Sequence, residues 1–302
     1  LGKFGGSELG FGSDLDVIFV FDPAYAPSRE EALPYFAARA QRIIRLLTEP
    51  NAAGPGYELD TRLRPSGSQG LLVTSIGAFA RYHGVEAPEA HVVGLHATSS
   101  GAAWERQVLL RARACAGDRR LGERVVELAQ AAAYERGAPP VEELLRLRQR
   151  MEVELGRERA GRFDLKTGRG GLLDVEFCVQ WLQMRYGADP SVRSTDTASA
   201  LGALHDHGYL ARPLYITLRE GYRFLRRLEQ RLHVFAGTSV SIIDAQGAGL
   251  NEIARSLGFS DDPGRSAAEQ LLSRYETVTA SVREAYLAAL GAASDAPPTS
   301  SA

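Results

Sequence analysis

The sequence predicts an α+β protein in which a small mixed domain is followed by a helical one. Strand patterns at 14–21 and 57–64 enclose one amphipathic segment, whereas beyond residue 104 long amphipathic segments follow with few strand signals. Strands that precede a run of helices are typical of α+β architecture or of separate domains. We therefore place a domain boundary near residue 118 and expect the helical domain to extend over 119–290.

The mixed domain is predicted to contain two strands and one helix. Residues 14–21 alternate at first and then continue as a β-branched and aromatic run, which is typical of a central strand buried on both faces. Residues 29–47 carry apolar side chains at spacings of three and four, which predicts a helix that ends before Pro50. Residues 57–64 alternate between apolar or neutral and charged side chains, so we expect a second strand with one packed face and one charged face.

The second part of the chain is predicted to consist of amphipathic helices. Three segments carry apolar stripes at helical spacing, and the first also carries i,i+4 ion pairs, Arg148 with Glu152 among them, that we place on its exposed side. Residues 291–302 are rich in Ala, Ser and Pro, which predicts a disordered tail. The stripes comprise Leu144, Leu147, Met151 and Leu155; Leu214, Leu218, Leu225, Leu228, Leu232 and Phe235; and Leu271, Tyr275, Val278 and Val282.

The composition excludes several classes of function. The 302 residues include 35 basic and 37 acidic side chains, for a formal net charge of −2. This balance supplies no general attraction for nucleic acid or an acidic membrane, so we expect neither as a partner. No apolar run approaches the roughly 20 residues that cross a bilayer, and a cytoplasmic protein is expected. Because the chain runs at once from Leu1 into a glycine-rich motif, we also expect that the first elements of the fold are missing.

The main functional signal is a set of three aspartates. Asp14 and Asp16 project from the same face of a strand, since strand side chains alternate, and Asp60 heads a strand that can lie beside them. Convergent carboxylates repel one another unless cations neutralise them, and their hard oxygen atoms suit Mg²⁺ together with substrate phosphates. Two such ions about 3.5–4 Å apart can activate an attacking oxygen and stabilise a leaving pyrophosphate. The alternative is that the acids only cap a strand and occupy the surface.

Glycine, serine and lysine residues supply candidate phosphate contacts. Gly12 and Ser13 provide an unhindered backbone and a hydroxyl group for a triphosphate. Lysine occurs only at Lys3 and Lys166, and each lies in a glycine-rich segment. Because arginine supplies every other basic residue, a retained ammonium group indicates a phosphate contact, foremost at Lys166. Chance placement of the two lysines is the alternative.

Other charged residues of the helical part receive structural interpretations. Asp174 and Glu176 lie near the start of a helix, where acids complement the helix dipole, and we favour this role over one in the chemistry. A set of arginines on one later helix is interpreted as a solvated face, with glutamates nearby that balance its charge. These arginines are Arg219, Arg223, Arg226 and Arg227.

Four ordered motifs within residues 1–235 closely resemble glutamine synthetase adenylyltransferase. The first extends over 2–16 and joins the glycine-rich start to the first two aspartates. The others are the Asp-Thr-Arg-Leu-Arg-Pro-Ser-Gly segment at 60–67, the Trp-Glu-Arg-Gln segment with its following arginines at 104–113, and the segment 164–177. Together they are far more specific than the Gly-Ser-Asp-x-Asp motif alone, which nucleotidyltransferases in general share.

The resemblance implies a DNA polymerase β-like nucleotidyltransferase domain over 1–118 and a trailing all-α helical bundle. It implies transfer of AMP from ATP to a tyrosine of glutamine synthetase, under control of the PII signal protein and of glutamine. Asp14, Asp16 and Asp60 are expected to hold Mg²⁺, and Asp60 also to accept the proton of the tyrosine hydroxyl. The nucleotide-binding residues expected are Gly12, Ser13, Arg62, Arg64 and Lys166.

Members of this family carry two catalytic halves, of which one adds AMP and the other removes it by phosphorolysis. Ser66 after Arg-Leu-Arg-Pro, and the Leu-Leu-Asp-Val-Glu-Phe segment at 172–177, resemble the adenylylating half. One alternative is the deadenylylating half, which uses the same carboxylates in reverse. Another is a nucleotide-sensing or interaction module without catalysis, against which the three acids argue. Residues 84–101 are longer than the family's usual link and are predicted to form a loop.

Overall fold

The protein is described by a computed structural model that covers residues 1–52, 54–85 and 103–295. It divides into two compact units. We call residues 1–9, 13–137 and 194–196 the amino-terminal unit, and residues 10–12, 138–193 and 197 onward the helical unit. The α+β class is confirmed, because small sheets accompany a mostly helical chain. The units divide after Gly137 rather than near residue 118, so one long helix assigned to the helical domain belongs to the amino-terminal unit.

The amino-terminal unit contains two short parallel strand pairs. The strand predicted at 14–21 is interrupted, and its two parts pair with different partners, β1 with β3 and β2 with β4. Burial on both faces is wrong, because only Leu15 and Phe21 of this segment are buried. The second strand ends at Asp60, where the Oδ1 atom of this residue accepts the Arg62 amide at 2.8 Å and turns the chain. The strands are β1 (Leu15–Asp16), β2 (Phe19–Phe21), β3 (Leu59–Asp60) and β4 (Val73–Ser75).

The predicted helix at 29–47 forms, and it connects the strand pairs. It begins at Ala32 and ends at Thr48, and its Phe36 ring stacks on Phe21 at 4.7 Å between ring centroids. Only Ala32 and Ala40 of this helix are buried, and Leu33, Ile43 and Leu47 of its predicted apolar stripe are exposed. The helices of this unit are α1 (Gly2–Gly5), α2 (Ala32–Thr48), α3 (Ile76–Tyr82), α4 (Ala103–Leu109) and α5 (Arg119–Tyr134). From residue 86 onward, the loop predicted at 84–101 lies outside the described residues.

The helical unit is a bundle around one large core, as predicted. All four residues of the last predicted stripe are buried, and the stripe continues through Ala289, Leu290 and Ala293. The tail therefore becomes ordered helix as far as Asp295, where disorder was expected, and the rest of the tail lies outside the described residues. The helices are α6 (Val141–Leu155), α7 (Leu172–Tyr186), α8 (Thr197–Asp206), α9 (Arg212–Ala236), α10 (Leu250–Ser256) and α11 (Ala267–Asp295).

One feature of the helical unit was not expected from the sequence. A small antiparallel pair joins β5 (Arg162–Asp164) to β6 (Ile242–Asp244), and strands of three residues are too short to show a period of two.

Among the helices of the described residues, none is long and apolar enough to span a membrane.

A buried ion-pair network joins three helices of this unit. Asp174 on α7 is fully buried and accepts hydrogen bonds from Arg148 Nε at 2.6 Å, from Arg283 Nη1 at 3.1 Å and from the Gly170 amide at 2.8 Å. Arg148 is itself fully buried, and its Nη1 lies 3.4 Å from Glu152 Oε2. The exposed placement of the Arg148–Glu152 pair was therefore wrong. Asp174 also does more than complement a helix dipole, because it neutralises buried arginine.

We expect the amino-terminal unit to lose stability in mild acid because of His83. This residue follows α3, is only 5% exposed, and its Nδ1 atom makes no hydrogen bond among the described residues. Burial, and then the nearby charge of Arg136, lower its pKa to about 4. The unfolded chain takes up the proton first, near pH 6.5, so the stabilisation is complete above that pH and is lost as the pH falls toward 4.

The expected loss across this window is about 3 kcal/mol of unfolding free energy. Urea unfolding at pH 7 and at pH 4.5 measures it. His83→Phe keeps an aromatic ring next to Phe79 and Tyr82 and removes the titrating group, so this variant should lose clearly less stability between the two pH values. An equal loss in the wild type and the variant would contradict the assignment to His83.

Candidate functional site

The three aspartates predicted from the sequence come together on the β1–β3 pair. Asp16 and Asp60 are directly paired in the parallel register, which is held by the Leu15 amide bonded to the Glu58 carbonyl at 2.8 Å. Asp14 lies two residues before Asp16. One oxygen atom from each of the three carboxylates lies within 4.8 Å of the others. Asp14 is exposed, while Asp16 and Asp60 are half-buried, so solvent reaches the cluster.

This cluster has the donors that a divalent cation requires. Carboxylate oxygens are hard ligands, and Mg²⁺ is commonly bound by one or two carboxylates together with waters and substrate phosphates. Like charges at this separation raise one another's free energy, and a cation removes the repulsion. The three acids therefore fit a Mg²⁺ site by their chemistry and proximity, and their role as metal ligands stays a prediction.

Arg62 covers the Asp60 carboxylate. Its Nε atom lies 3.0 Å from Asp60 Oδ1 and 2.9 Å from Oδ2, and its Nη2 atom forms a further short contact with Oδ2. These hydrogen bonds hold the pKa of Asp60 below its usual value, against the opposing effect of burial. The Arg62 side chain is 76% exposed, so it can turn away from the carboxylate with little loss of packing. A cation that binds Asp60 would therefore compete with Arg62 for the same oxygen atoms.

Arg64 is engaged in the turn that follows β3. Its Nη1 atom donates to the Thr61 carbonyl at 2.8 Å, its Nε atom to the Gly70 carbonyl at 3.1 Å, and its Nη2 atom to the Ser68 carbonyl at 3.2 Å. The guanidinium group therefore closes the loop that carries Ser66. Binding of nucleotide by Arg64 stays a prediction, and it would compete with these bonds.

Gly2 is a site residue that sequence reasoning missed. It begins α1 with a φ of +49°, and a Cβ atom built on it would lie 1.9 Å from Asp16 Oδ2. A larger residue would therefore push on the carboxylate itself. Arg113 fixes the same helix, because its Nη2 atom donates to the Phe4 carbonyl at 2.7 Å and its Nε atom to the Gly5 carbonyl at 3.2 Å. The glycine-rich start thus supports the acids by close packing, and the sequence singled out Gly2 only as part of the motif at 2–16.

Lys166 belongs to the helical unit and is presented to solvent on a rigid turn. The buried Asp164 carboxylate accepts the Lys166 amide at 2.9 Å, the Thr167 amide at 3.0 Å and the Thr167 hydroxyl at 2.6 Å. Leu165 and Thr167 on either side are buried, whereas Lys166 is exposed. The turn therefore holds the lysine backbone in place and leaves its ammonium group accessible. Contact of this group with phosphate stays a prediction.

Two family models match the chain, and their matches overlap over residues 119–128, within α5. The model of glutamate-ammonia ligase adenylyltransferase matches residues 1–128. The model of GlnD PII-uridylyltransferase matches residues 119–289. The first match contains all three clustered aspartates, and the second contains the turn that carries Lys166.

Curated relatives match nearly the whole chain. A bifunctional glutamine synthetase adenylyltransferase/adenylyl-removing enzyme from Streptomyces avermitilis is 36% identical over 266 residues, which are 87% of this chain and 25% of the relative. Enzymes of the same name match from Mycobacterium leprae, at 34% identity over 92% of this chain and 26% of the relative, and from Mycobacterium tuberculosis, at 32% over 95% and 28%. The chain thus spans about a quarter of the length of these relatives.

The acidic cluster lies in the part of the chain that is similar to adenylyltransferases. The chain belongs to the family of glutamine synthetase adenylyltransferase/adenylyl-removing enzymes. The resemblance found in the four sequence motifs is therefore confirmed.

Proposed function

We propose that this chain transfers AMP from ATP to a tyrosine of glutamine synthetase and releases pyrophosphate, with Mg²⁺ as cofactor. The observation that carries the proposal is the cluster of Asp14, Asp16 and Asp60, whose carboxylate oxygens lie within 4.8 Å of one another. The names of the relatives support adenylyl transfer with glutamine synthetase as the protein acted on, and the tyrosine acceptor rests on the family resemblance. The catalytic part then has the DNA polymerase β-like nucleotidyltransferase fold, and the protein acts in the cytoplasm.

Asp14, Asp16 and Asp60 would hold the metal, whose charge stabilises the triphosphate and the leaving pyrophosphate. A tyrosine hydroxyl has an unperturbed pKa of about 10, so its attack requires a base. Asp60 accepts this proton once Arg62 has left it. The tyrosine oxygen then forms a bond to the α-phosphorus as the bond from that phosphorus to the pyrophosphate oxygen breaks.

The remaining predicted residues handle the phosphates. Gly12 and Ser13 come immediately before Asp14 and offer backbone amides and a hydroxyl to the triphosphate. Arg62, when released from Asp60, and Lys166 on its rigid turn neutralise the charge that develops on the leaving group. Arg64 contributes to the same task from the base of the turn.

The regulation expected for this enzyme involves the PII signal protein and glutamine. The match of residues 119–289 to a PII-uridylyltransferase model supports PII as a partner, because the matched protein is named for its action on PII. Glutamine as an effector rests on the family resemblance alone. Both proposals can be tested separately from the chemistry.

The direction of the reaction is the part of the proposal that the carboxylates do not decide. An adenylylating site consumes ATP and labels unmodified glutamine synthetase, whereas a deadenylylating site consumes phosphate and releases ADP from the modified form. Ser66 and the segment 172–177 support the adenylylating direction. We therefore expect α-labelled ATP to label glutamine synthetase, with little phosphate-dependent ADP release. Dominant ADP release would assign the chain to the deadenylylating half. The absence of both reactions would favour a non-catalytic module.

We expect Arg62→Met to strengthen the binding of divalent cations while it slows AMP transfer. The substitution frees both Asp60 oxygens from a competing guanidinium group, and it also removes a cation that neutralises the leaving group. Titration with Mn²⁺ in the absence of nucleotide measures the first effect. Arg119→Met is the control, because this exposed arginine pairs with Glu123 elsewhere in the same unit. Weaker cation binding in the Arg62 variant would contradict the proposed competition.

A further inference from the structure

We infer that Gln230 and His233 on α9 are positioning residues for the bound nucleotide. They hold the backbone of Phe11, in the Gly10-Phe11-Gly12 loop that leads directly into Ser13 and Asp14. The inference rests on the proposed function, because it assigns these residues to the triphosphate site of that reaction. Neither residue belongs to the motifs that identified the site.

Both polar groups of the Phe11 backbone are bonded to side chains of α9. The Phe11 amide donates to Gln230 Oε1 at 3.0 Å, and His233 Nδ1 lies 2.9 Å from the Phe11 carbonyl oxygen. A carbonyl oxygen only accepts, so Nδ1 carries the proton in this contact. Residues three apart lie on the same face of a helix, so the two side chains can reach one peptide segment together. All of these contacts lie within the helical unit.

The loop is held through its backbone rather than by its side chain. Phe11 is 54% exposed, so burial of this residue contributes little to the order of the loop. His233, by contrast, is only 2% exposed and therefore has a fixed position from which to bond.

One turn earlier on the helix, Glu229 is buried to the same extent and forms an ion pair with Arg226. The sequence analysis placed Arg226 on a solvated arginine face, and this ion pair with a buried glutamate shows that the interpretation is wrong for Arg226.

The two glycines of the loop fit this contact. A Cβ atom at Gly10 would lie 2.0 Å from Gln230 Nε2, so a side chain there would displace the amide that bonds Phe11. Gly12 has a φ of +68°, a left-handed conformation that favours glycine, and a Cβ atom there would approach the Ser239 amide nitrogen to 3.2 Å. The Gly-x-Gly pattern is therefore explained by its approach to α9, in addition to any contact with phosphate.

A shift of Phe11 would move the groups that follow it in the chain. Gly12 and Ser13 carry the amides and hydroxyl that are proposed to bind the triphosphate, and Asp14 is the first carboxylate. Misplacement by about 1 Å can reduce a rate about 100-fold even when the substitution lies away from the reacting atoms. Loss of the two bonds should therefore weaken ATP binding and slow transfer without unfolding the helical unit.

The test compares substitutions that remove a bond with substitutions that retain it. His233→Leu removes the donor, whereas His233→Asn places an amide donor near the same position. Gln230→Met removes the acceptor, whereas Gln230→Glu retains it, and the Gln230 Nε2 atom replaced in this variant makes no hydrogen bond among the described residues. Arg223→Ala is the control, because Arg223 is an exposed residue of the same helix.

Two readouts are required, and the first does not depend on catalysis. Hydrogen exchange at the Phe11 amide should accelerate in Gln230→Met and not in Gln230→Glu, while the amides of α9 keep their protection. The affinity for a non-hydrolysable ATP analogue with Mg²⁺ should fall about tenfold in His233→Leu and recover largely in His233→Asn. The melting temperature of every variant should remain close to that of the wild type and of the control.

The outcomes separate this inference from the proposed function. Faster exchange at Phe11 with unchanged nucleotide affinity and unchanged AMP transfer would overturn the inference. Unchanged exchange in Gln230→Met would overturn it as well, because the bond would then not hold the loop. If the wild type transfers no AMP but the substitutions still weaken nucleotide binding in the expected order, the proposed reaction fails and the positioning role stands.

Discussion

Asp14→Asn and Asp16→Asn are each expected to reduce AMP transfer by more than about 100-fold, since even the loss of a second-shell partner costs a metal site about 10–100-fold. Each substitution removes a full negative charge from a cluster whose oxygens lie within 4.8 Å of one another. Removal of one charge also relieves repulsion in the cation-free protein. The melting temperature should therefore stay constant or rise while the rate of transfer falls.

Initial rates with labelled ATP, together with thermal unfolding of the same samples, measure both effects. Glu127→Gln is the matched control, because it neutralises an exposed acid on α5 of the same unit. Near-normal transfer by either aspartate variant would contradict the proposed role of the cluster. A large loss of stability with the rate per folded molecule preserved would assign the aspartates to the structure of the strand pair.

Asp174→Ala is expected to destabilise the helical unit by about 3–5 kcal/mol. The substitution removes the closer of the two carboxylates that contact the fully buried Arg148 and leaves it only Glu152, at 3.4 Å. It also removes an acceptor from Arg283 and from the Gly170 amide. A buried charge without a partner costs far more than the pair itself contributes, because the arginine has lost its hydration. Urea unfolding followed by the fluorescence of the buried Trp181 measures the change in this unit.

The double variant Arg148→Met with Asp174→Leu should lose less stability than Asp174→Ala alone. Replacement of both charges by apolar side chains removes the uncompensated arginine, and such exchanges are often neutral or stabilising. Arg150→Met, at an exposed position of α6, should change stability by no more than about 0.5 kcal/mol. A cost below about 1 kcal/mol for Asp174→Ala would mean that the network does not stabilise the unit.

The geometry of the acidic cluster was largely predictable from local pattern. The alternation of a strand places Asp14 and Asp16 on one face, and the strand character of residues 57–60 provides a partner for them. The parallel register that pairs Asp16 with Asp60 depends on contacts distant in the sequence, and no local pattern encodes it. The contact of Arg62 with Asp60 depends likewise on the turn after β3. Apolar and charged side chains alternate as far as Arg64, so the sequence predicted a continuous strand where this turn lies.

The buried network could have been found from the sequence with a stricter use of helical periodicity. Arg148 lies four residues after Leu144 and three before Met151, so it falls on the apolar stripe of α6. Its spacing from Glu152 resembles a surface ion pair, and that resemblance led to the wrong placement. Asp174 lies in a helix that carries apolar residues on most of its circumference and is buried over most of its length, and a buried helix requires a partner for every charge.

Other features could not be derived from local pattern. The division after Gly137 reflects how α5 packs, which periodicity alone does not reveal. The β5–β6 pair joins segments about 80 residues apart, each with only three residues in the ladder. The contact of α9 with the Gly10–Gly12 loop spans more than 200 residues of sequence, and no local pattern encodes it.

The measurement that tests the central claim most directly is the binding of Mn²⁺, as a probe for Mg²⁺, in the presence of a non-hydrolysable ATP analogue, followed by electron paramagnetic resonance. It requires neither glutamine synthetase nor a choice between the two directions of the reaction. We expect the wild-type chain to bind the cation together with the nucleotide, and Asp16→Asn to lose this binding while remaining folded. Equal cation binding by the wild type and Asp16→Asn, or none by the folded wild type, would contradict a metal-dependent nucleotide site at Asp14, Asp16 and Asp60.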